Sequence, residues 1–229
     1  MKSPLVTECL FHVAGIPIGA PVVVSWAISA GLVASGYLLA RRLTLIPDGK
    51  QALIELLVET VDSQIRDTMR VEPAPYRAFI GSLFLFILIA NWSGLLPGVE
   101  PPTACLQTDA ALAVLVFLSV IYFGVRAGGW RGYLATFASP SPLMIPLNFV
   151  ETLTRAFSLF VRLFGNVMSG VFVIGIVVSL AGLIVPIPLM GLHMLTGAVQ
   201  AYIFAILATV FIAEGLESHA PGKPEREAP

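Results

Sequence analysis

The stretch NFVETLTRAFSLFVRLFGNVMS, residues 148–169, decides how this chain is read. It is apolar enough for a membrane helix, and a hydrocarbon core of roughly 30 Å takes about 20 residues. Yet it carries two arginines, one glutamate and two asparagines. Placed on a helix at about 100° per residue, Asn148, Glu151, Arg155, Ser158, Arg162, Asn166 and Ser169 fall in one narrow arc with apolar residues around them. An intramembrane arginine costs about 2.5–3.5 kcal/mol on insertion scales, so it normally faces protein or water and carries function.

Outward from this stripe the chain is a string of apolar runs. Residues 142–185 and 186–217 are predicted as two long membrane helices forming a hairpin, each longer than a perpendicular crossing needs. They must tilt strongly, bend or break, and Gly165, Gly170, Gly175 and Gly182 offer places to bend or to let another backbone approach. On the second of them His193, Thr196, Gln200 and Glu214 again share one face. Upstream, 18–40 reads as a first span ending at Arg41-Arg42, and 79–96 and 110–125 form a two-span hairpin. Residues 49–72 alternate Leu53, Leu56, Leu57, Val61 and Ile65 with charged positions, the pattern of an amphipathic helix lying on the bilayer surface. Residues 126–142 read as an interfacial loop and 218–229 as a disordered tail. The fold class expected is an all-α polytopic membrane protein, one membrane domain over 1–229.

Composition agrees and excludes much else. Of the 229 residues 57% are hydrophobic and 12% charged, where soluble domains carry about 25% charged residues. A formal net charge of -1 leaves no basic surplus for nucleic acid. Cys9 and Cys105 cannot build a disulfide framework, and His12, His193 and His219 are too scattered for a local metal pair. No cofactor or metal is expected. Ten of the 13 Lys and Arg residues lie in 41–77, 126–141 and 213–229, while 1–17 and 97–108 hold only Lys2. By the positive-inside rule the former face the cytoplasm and the N-terminus and 97–109 turn lie outside. A cysteine at Thr103 is then expected to label from outside, and one at Ser218 from the cytoplasm.

The two polar faces can adjoin, lining a hydrated path or an ion relay; they can equally serve as interhelical hydrogen-bonding glue. Glue explains hydroxyls and amides better than a guanidinium. Arginine, unlike lysine, stays charged when buried. A fixed positive charge keeps a partner carboxylate ionised and obstructs a passing cation, so it can separate two access routes without itself carrying a proton.

Ser158-Leu-Phe-Val-Arg162-Leu-Phe-Gly-Asn166, followed by Gly170 and by Gln200-Ala-Tyr-Ile-Phe204, resembles subunit a of F-type ATP synthases. The order of elements, the Asn91–Pro97 stretch ending Gly-Leu-Leu-Pro, and Thr108-Asp109 opening a span are also similar to that family. The resemblance implies a non-catalytic, ion-conducting stator beside a rotating ring of c-type proteolipids, held by b-type peripheral-stalk subunits in a bacterial inner membrane. Arg162 would meet each ring carboxylate between two half-channels. Gln200, Asn166, His193, Asp109, Arg155, Glu151, Ser169 and Glu214 would complete the ion path. The ion implied is the proton, with sodium the alternative, since the ring's ligands choose it. One departure matters: relatives carry a Glu after the glycine matching Gly170, and this chain has Val171, so the inlet must lean on His193, Asp109 and Glu100.

Two other classes compete. Ser169-Gly170 with His193 is the inventory of an intramembrane serine hydrolase, but it leaves Arg162 and Gln200 without a role. A stand-alone secondary transporter often carries an internal repeat, and the two halves show none.

Overall fold

The computed structural model describes residues 9–13, 16–41, 49–95, 99, 101–137, 144–182 and 185–217. It contains six α-helices: α1 (Ala20–Ala40), α2 (Gly49–Met69), α3 (Ala74–Ser93), α4 (Leu106–Phe137), α5 (Met144–Ala181) and α6 (Pro186–Glu217). Five of them, all but α2, are long and apolar enough to cross a membrane, as the all-α membrane class requires. A short antiparallel hairpin, β1 (Cys9–Val13) with β2 (Ile16–Gly19), precedes α1 and was not expected. The 218–229 tail and Glu100 lie outside the described residues.

Several boundaries differ from expectation for identifiable reasons. Helix α3 starts at Ala74, not 79, because Pro73 and Pro75 supply fixed φ at the first turn where no N–H is needed; the N–H groups of Tyr76 and Arg77 donate to the Pro73 carbonyl. The expected loop 126–142 contains a real helix break: α4, Leu106–Phe137, is two helical pieces that meet at a kink, the second one short. Its break is confined to Gly129, whose φ of 71° and ψ of 167° are open to glycine and strained for other residues. Helix α5 stays helical through Gly165, Gly170 and Gly175, and a positive φ of 73° at Gly182 ends it. With 38 residues it is about 57 Å long at the standard rise. A core of roughly 30 Å therefore requires it to tilt steeply or emerge.

Helix α6 is the hub of the packing. Phe204, Ala201 and Ala208 meet Leu83 and Ile87 of α3, Leu112 and Val116 of α4, and Leu159 and Leu163 of α5 in one core. A second core joins Ile65 and Met69 of α2 to Ile80 of α3, Val120 and Phe123 of α4 and Ile212 of α6. The amphipathic pattern of α2 is realised in part: Ile65 is buried and Leu57 and Val61 are half-buried, while Leu56 is exposed. Arg77 of α3 donates from Nε to Asp62 Oδ1 at 2.5 Å and from Nη2 to Oδ2, a bidentate clasp between α2 and the bundle.

Candidate ion pathway between α5 and α6

The buried ridge of α5 is Leu159, Leu163 and Val167, spaced at i, i+4 and i+8. The polar stripe flanks that ridge. Asn148, Arg155 and Asn166 are half-buried at its border, whereas Glu151, Ser158, Arg162 and Ser169 are exposed beyond it. The stripe thus runs along the edge where α5 leaves the bundle.

The polar face of α6 meets it, as helix periodicity allowed. Arg155 Nη1 pairs with Glu214 of α6, and Arg155 Nη2 donates to Glu151 Oε1 at 2.5 Å. The same guanidinium lies over the Phe211 ring, 5.5 Å from its centroid. Further along the antiparallel pair, the His193 imidazole rests directly on Gly170, where any Cβ would overlap the ring. Arg162 and Gln200 therefore stand between the Arg155–Glu214 contact and the Gly170–His193 contact. Gln200 is only 6% exposed. Its Nε2 and the Nδ2 of Asn166 are buried without hydrogen-bond partners among the described residues, an energetically costly arrangement. Arg162 makes no hydrogen bond or ion pair among the described residues.

The hydroxyls behave differently. Ser169 donates to Asn166 O at 2.9 Å and Thr196 to His193 O at 3.0 Å, each within its own helix. They are not bonded across the pair. Because the Ser169 hydroxyl is committed to that carbonyl and His193 sits on Gly170, the Ser–His bond of a hydrolase is absent among the described contacts.

Asp109, in the first turn of α4, is 0% exposed with neither carboxylate oxygen hydrogen-bonded. The structure does not join it to His193, and the two stand on different helices. Near the same end of the bundle, Thr103 is also 0% exposed and its Oγ1 unpartnered. The expected maleimide labelling at Thr103 therefore fails on access; Gln107, two residues before Asp109, is exposed. Sequence reasoning also passed over Asn91 as a site. Its Nδ2 donates to Gly197 O at 2.9 Å, tying α3 to α6 next to Trp92 Nε1, which donates to Met194 O at 3.2 Å. The available signal was one amide inside the apolar run of α3. Among the described residues no three His, Cys, Asp or Glu side chains converge to hold a metal.

Five apolar helices of spanning length, with an arginine unpaired among the described residues at the edge of a polar helix–helix seam, make a multi-pass membrane protein. Comparison with known proteins agrees: residues 22–213 match the family model described as ATP synthase A chain. ATP synthase subunit a 2 of Bradyrhizobium sp. strain BTAi1 is 54% identical over 221 residues, 96% of this chain and 99% of that protein. ATP synthase subunit a of Albidiferax ferrireducens is 40% identical over 92% of this chain and 91% of its own length. ATP synthase subunit a 1 of Chlorobaculum parvum is 44% identical over 84% and 86%. The chain belongs to the ATP synthase subunit a family.

Proposed function

We propose that this chain is the ion-translocating stator subunit of a rotary F-type ATP synthase. The observation that carries this reading is Arg162, an exposed cation without an internal partner, midway along the 36-residue apolar span of α5. A guanidinium in hydrocarbon without a counter-charge is unstable, so its partner belongs to a neighbour. A carboxylate on a ring of c-type proteolipids supplies that charge transiently, once per passing subunit. Asn166 and Gln200, with amide donors free at the same seam, orient the carboxylate as it arrives.

The remaining polar groups divide between two half-channels. Asp109 and His193 serve the inlet on the outer side, where Val171 replaces a carboxylate found in relatives. Arg155, held between Glu151 and Glu214, lines the cytoplasmic outlet together with those two carboxylates, and Ser169 adds a polar position between the two routes. In this reading protons enter from outside, neutralise a ring carboxylate, ride the ring and leave past Arg155; sodium would follow the same path with ring ligands suited to it. The chain performs no chemistry on nucleotide and needs the catalytic head, the ring and the b-type stalk as partners in a bacterial inner membrane.

Copurification tests the assignment. Detergent extraction through a tag on this chain is expected to yield a ring of small proteolipids with a nucleotide-hydrolysing head. Isolation of the chain alone, with transport activity in liposomes, would overturn the assignment in favour of a secondary transporter. Orientation is a separate expectation, resting on the distribution of basic residues. In a chain with Cys9 and Cys105 replaced by Ser, Gln107→Cys reacts with impermeant maleimide only from outside and Glu72→Cys only from the cytoplasm. Both positions are exposed. Reaction from the opposite faces would exchange inlet and outlet.

A further inference from the structure

The first part of α5 stands apart from the bundle. From Ile145 to Ser158 none of its side chains is buried, and burial begins at Leu159. Leu147, Phe149, Val150, Leu153 and Phe157 are all exposed, so core packing does not fix where this segment lies. Between apolar helices in lipid there is no hydrophobic force to supply the missing hold, and association rests on close packing and polar contacts. The tilt of this segment matters beyond itself, because Arg162 follows Leu159 by three residues on the same helix.

Arg155 is a point at which the segment is held. Its guanidinium pairs through Nη1 with Glu214 of α6, donates from Nη2 to Glu151 Oε1 at 2.5 Å, and lies 5.5 Å from the centroid of the Phe211 ring. A planar fork of fixed donors suits such a three-sided grip. The partners differ in what they can do. Glu151 sits one turn back on α5 and orients the guanidinium without tying the helix to anything. Glu214 and Phe211 belong to α6, where the adjoining Ile212 and Ala213 are buried in the second core. The pair therefore joins a loosely packed segment to a firmly packed one. Beyond Arg162, the seat of His193 on Gly170 is a second close approach of the two helices. Arg162 thus lies between two points where α5 meets α6, seven residues and about 10.5 Å along the helix from Arg155. The geometry points to Glu214, acting through Arg155, as a positioning residue for Arg162: the cross-helix pair sets the tilt of the first part of α5 against α6, and so the place at which Arg162 meets the ring. This role rests on the stator reading proposed above and is separate from lining an outlet.

The test uses the complete synthase complex, with Cys9 and Cys105 replaced by Ser and the other subunits freed of reactive cysteine. Spin labels are placed at Val150→Cys on α5 and Ser63→Cys on α2, both exposed positions. Ser63 lies two residues from Ile65, which the second core buries, so its label reports the bundle. Pulsed dipolar spectroscopy reads the distance between the labels, and ATP-driven pumping in vesicles is measured per assembled complex. Glu214→Gln and Arg155→Gln are each expected to widen the distance distribution and to slow pumping by about 10-fold to 10²-fold, since a misplacement of about 1 Å can cost 10²-fold. Glu151→Gln, which removes a contact within α5 only, is expected to leave the distance distribution as in the wild type. Exchanging the charges, Arg155→Glu with Glu214→Arg, is expected to restore the narrow distribution and most of the pumping lost in the single variants, because the guanidinium then on α6 meets carboxylates at both α5 positions. If Glu214→Gln does not assemble, Glu214→Asp keeps the charge with a shorter reach and is expected to shift the distance. An unchanged distribution in the single variants, or a charge exchange that restores neither readout, would overturn the positioning role. Slow pumping at an unchanged distance overturns it as well and leaves the pair as outlet lining. Absence of a proteolipid ring from the wild-type complex strikes the stator reading instead, which the distance measurement does not touch.

Discussion

Arg162→Ala and Arg162→Gln each abolish ATP-driven ion pumping and ion-driven ATP synthesis in inverted membrane vesicles, while the complex still assembles at wild-type levels. Assembly is expected to survive because Arg162 is exposed on α5 and makes no hydrogen bond or ion pair among the described residues. Its removal leaves no buried group of this chain unpaired. In the proposed reading transport is lost because the fixed charge that meets the ring carboxylate is gone. At an effective dielectric near 20, unit charges about 4 Å apart interact by about 4 kcal/mol. With about 1.4 kcal/mol per tenfold in rate, the loss is of order 10³-fold. The proposed reading has a second consequence, which separates it from simple inactivation: without the cation between two half-channels, passive ion leak through the membrane sector is expected to rise. Coupled pumping near the wild-type rate in either variant would sink the reading of Arg162.

What the sequence could and could not disclose follows from the range of the forces involved. The membrane spans were legible because apolar runs of spanning length have few alternatives, and the stripe on α5 because helical periodicity is local. Its placement beside a buried ridge of Leu159, Leu163 and Val167 follows from the same periodicity. Local rules held in part at the Gly-Gly-Trp-Arg-Gly segment, 128–132: the glycines do break the helix, at Gly129, but the chain resumes a short helix beyond the kink rather than a loop. Of the glycines read as places to bend or to admit a neighbour, Gly182 ends α5 with a positive φ. Gly170 admits a neighbour, the imidazole of His193 from the next helix.

Long-range partnerships were hidden. Nothing near Arg155 in sequence indicates that Glu214 closes on it, although both belong to polar faces that could be drawn separately. Asn91 looked like an isolated amide, and only tertiary packing reveals that it bonds the α6 backbone at Gly197. Burial of Asp109 and Thr103 is also a tertiary fact, since their segment reads as an exposed turn at the membrane edge.

Asp109→Asn combined with His193→Ala is expected to cut pumping by about 10²-fold, in line with the contribution of a positioned proton-relaying group. The two residues occupy different helices, and each is unusual in its place. A carboxylate at 0% exposure with no hydrogen-bond partner is costly to keep for stability alone. An imidazole set against a glycine, about two turns from Gln200 along α6, is placed by the fold rather than left to solvent. Imidazole has a reference pKa near 6.5 and can accept and release protons at physiological pH. In the proposed reading these two groups serve the inlet. A purely structural role makes a different forecast: His193→Gln, which preserves much of the shape and hydrogen bonding but cannot titrate, would pump like the wild type. The relay reading expects His193→Gln to be slow and its rate to lose the wild-type pH dependence between about pH 5 and 8, a range around the imidazole reference value. Assembled complex is quantified in each variant, so that loss of rate is measured per intact synthase. If the double variant pumps at the wild-type rate across that range, the ions enter by another route and Asp109 and His193 are packing residues.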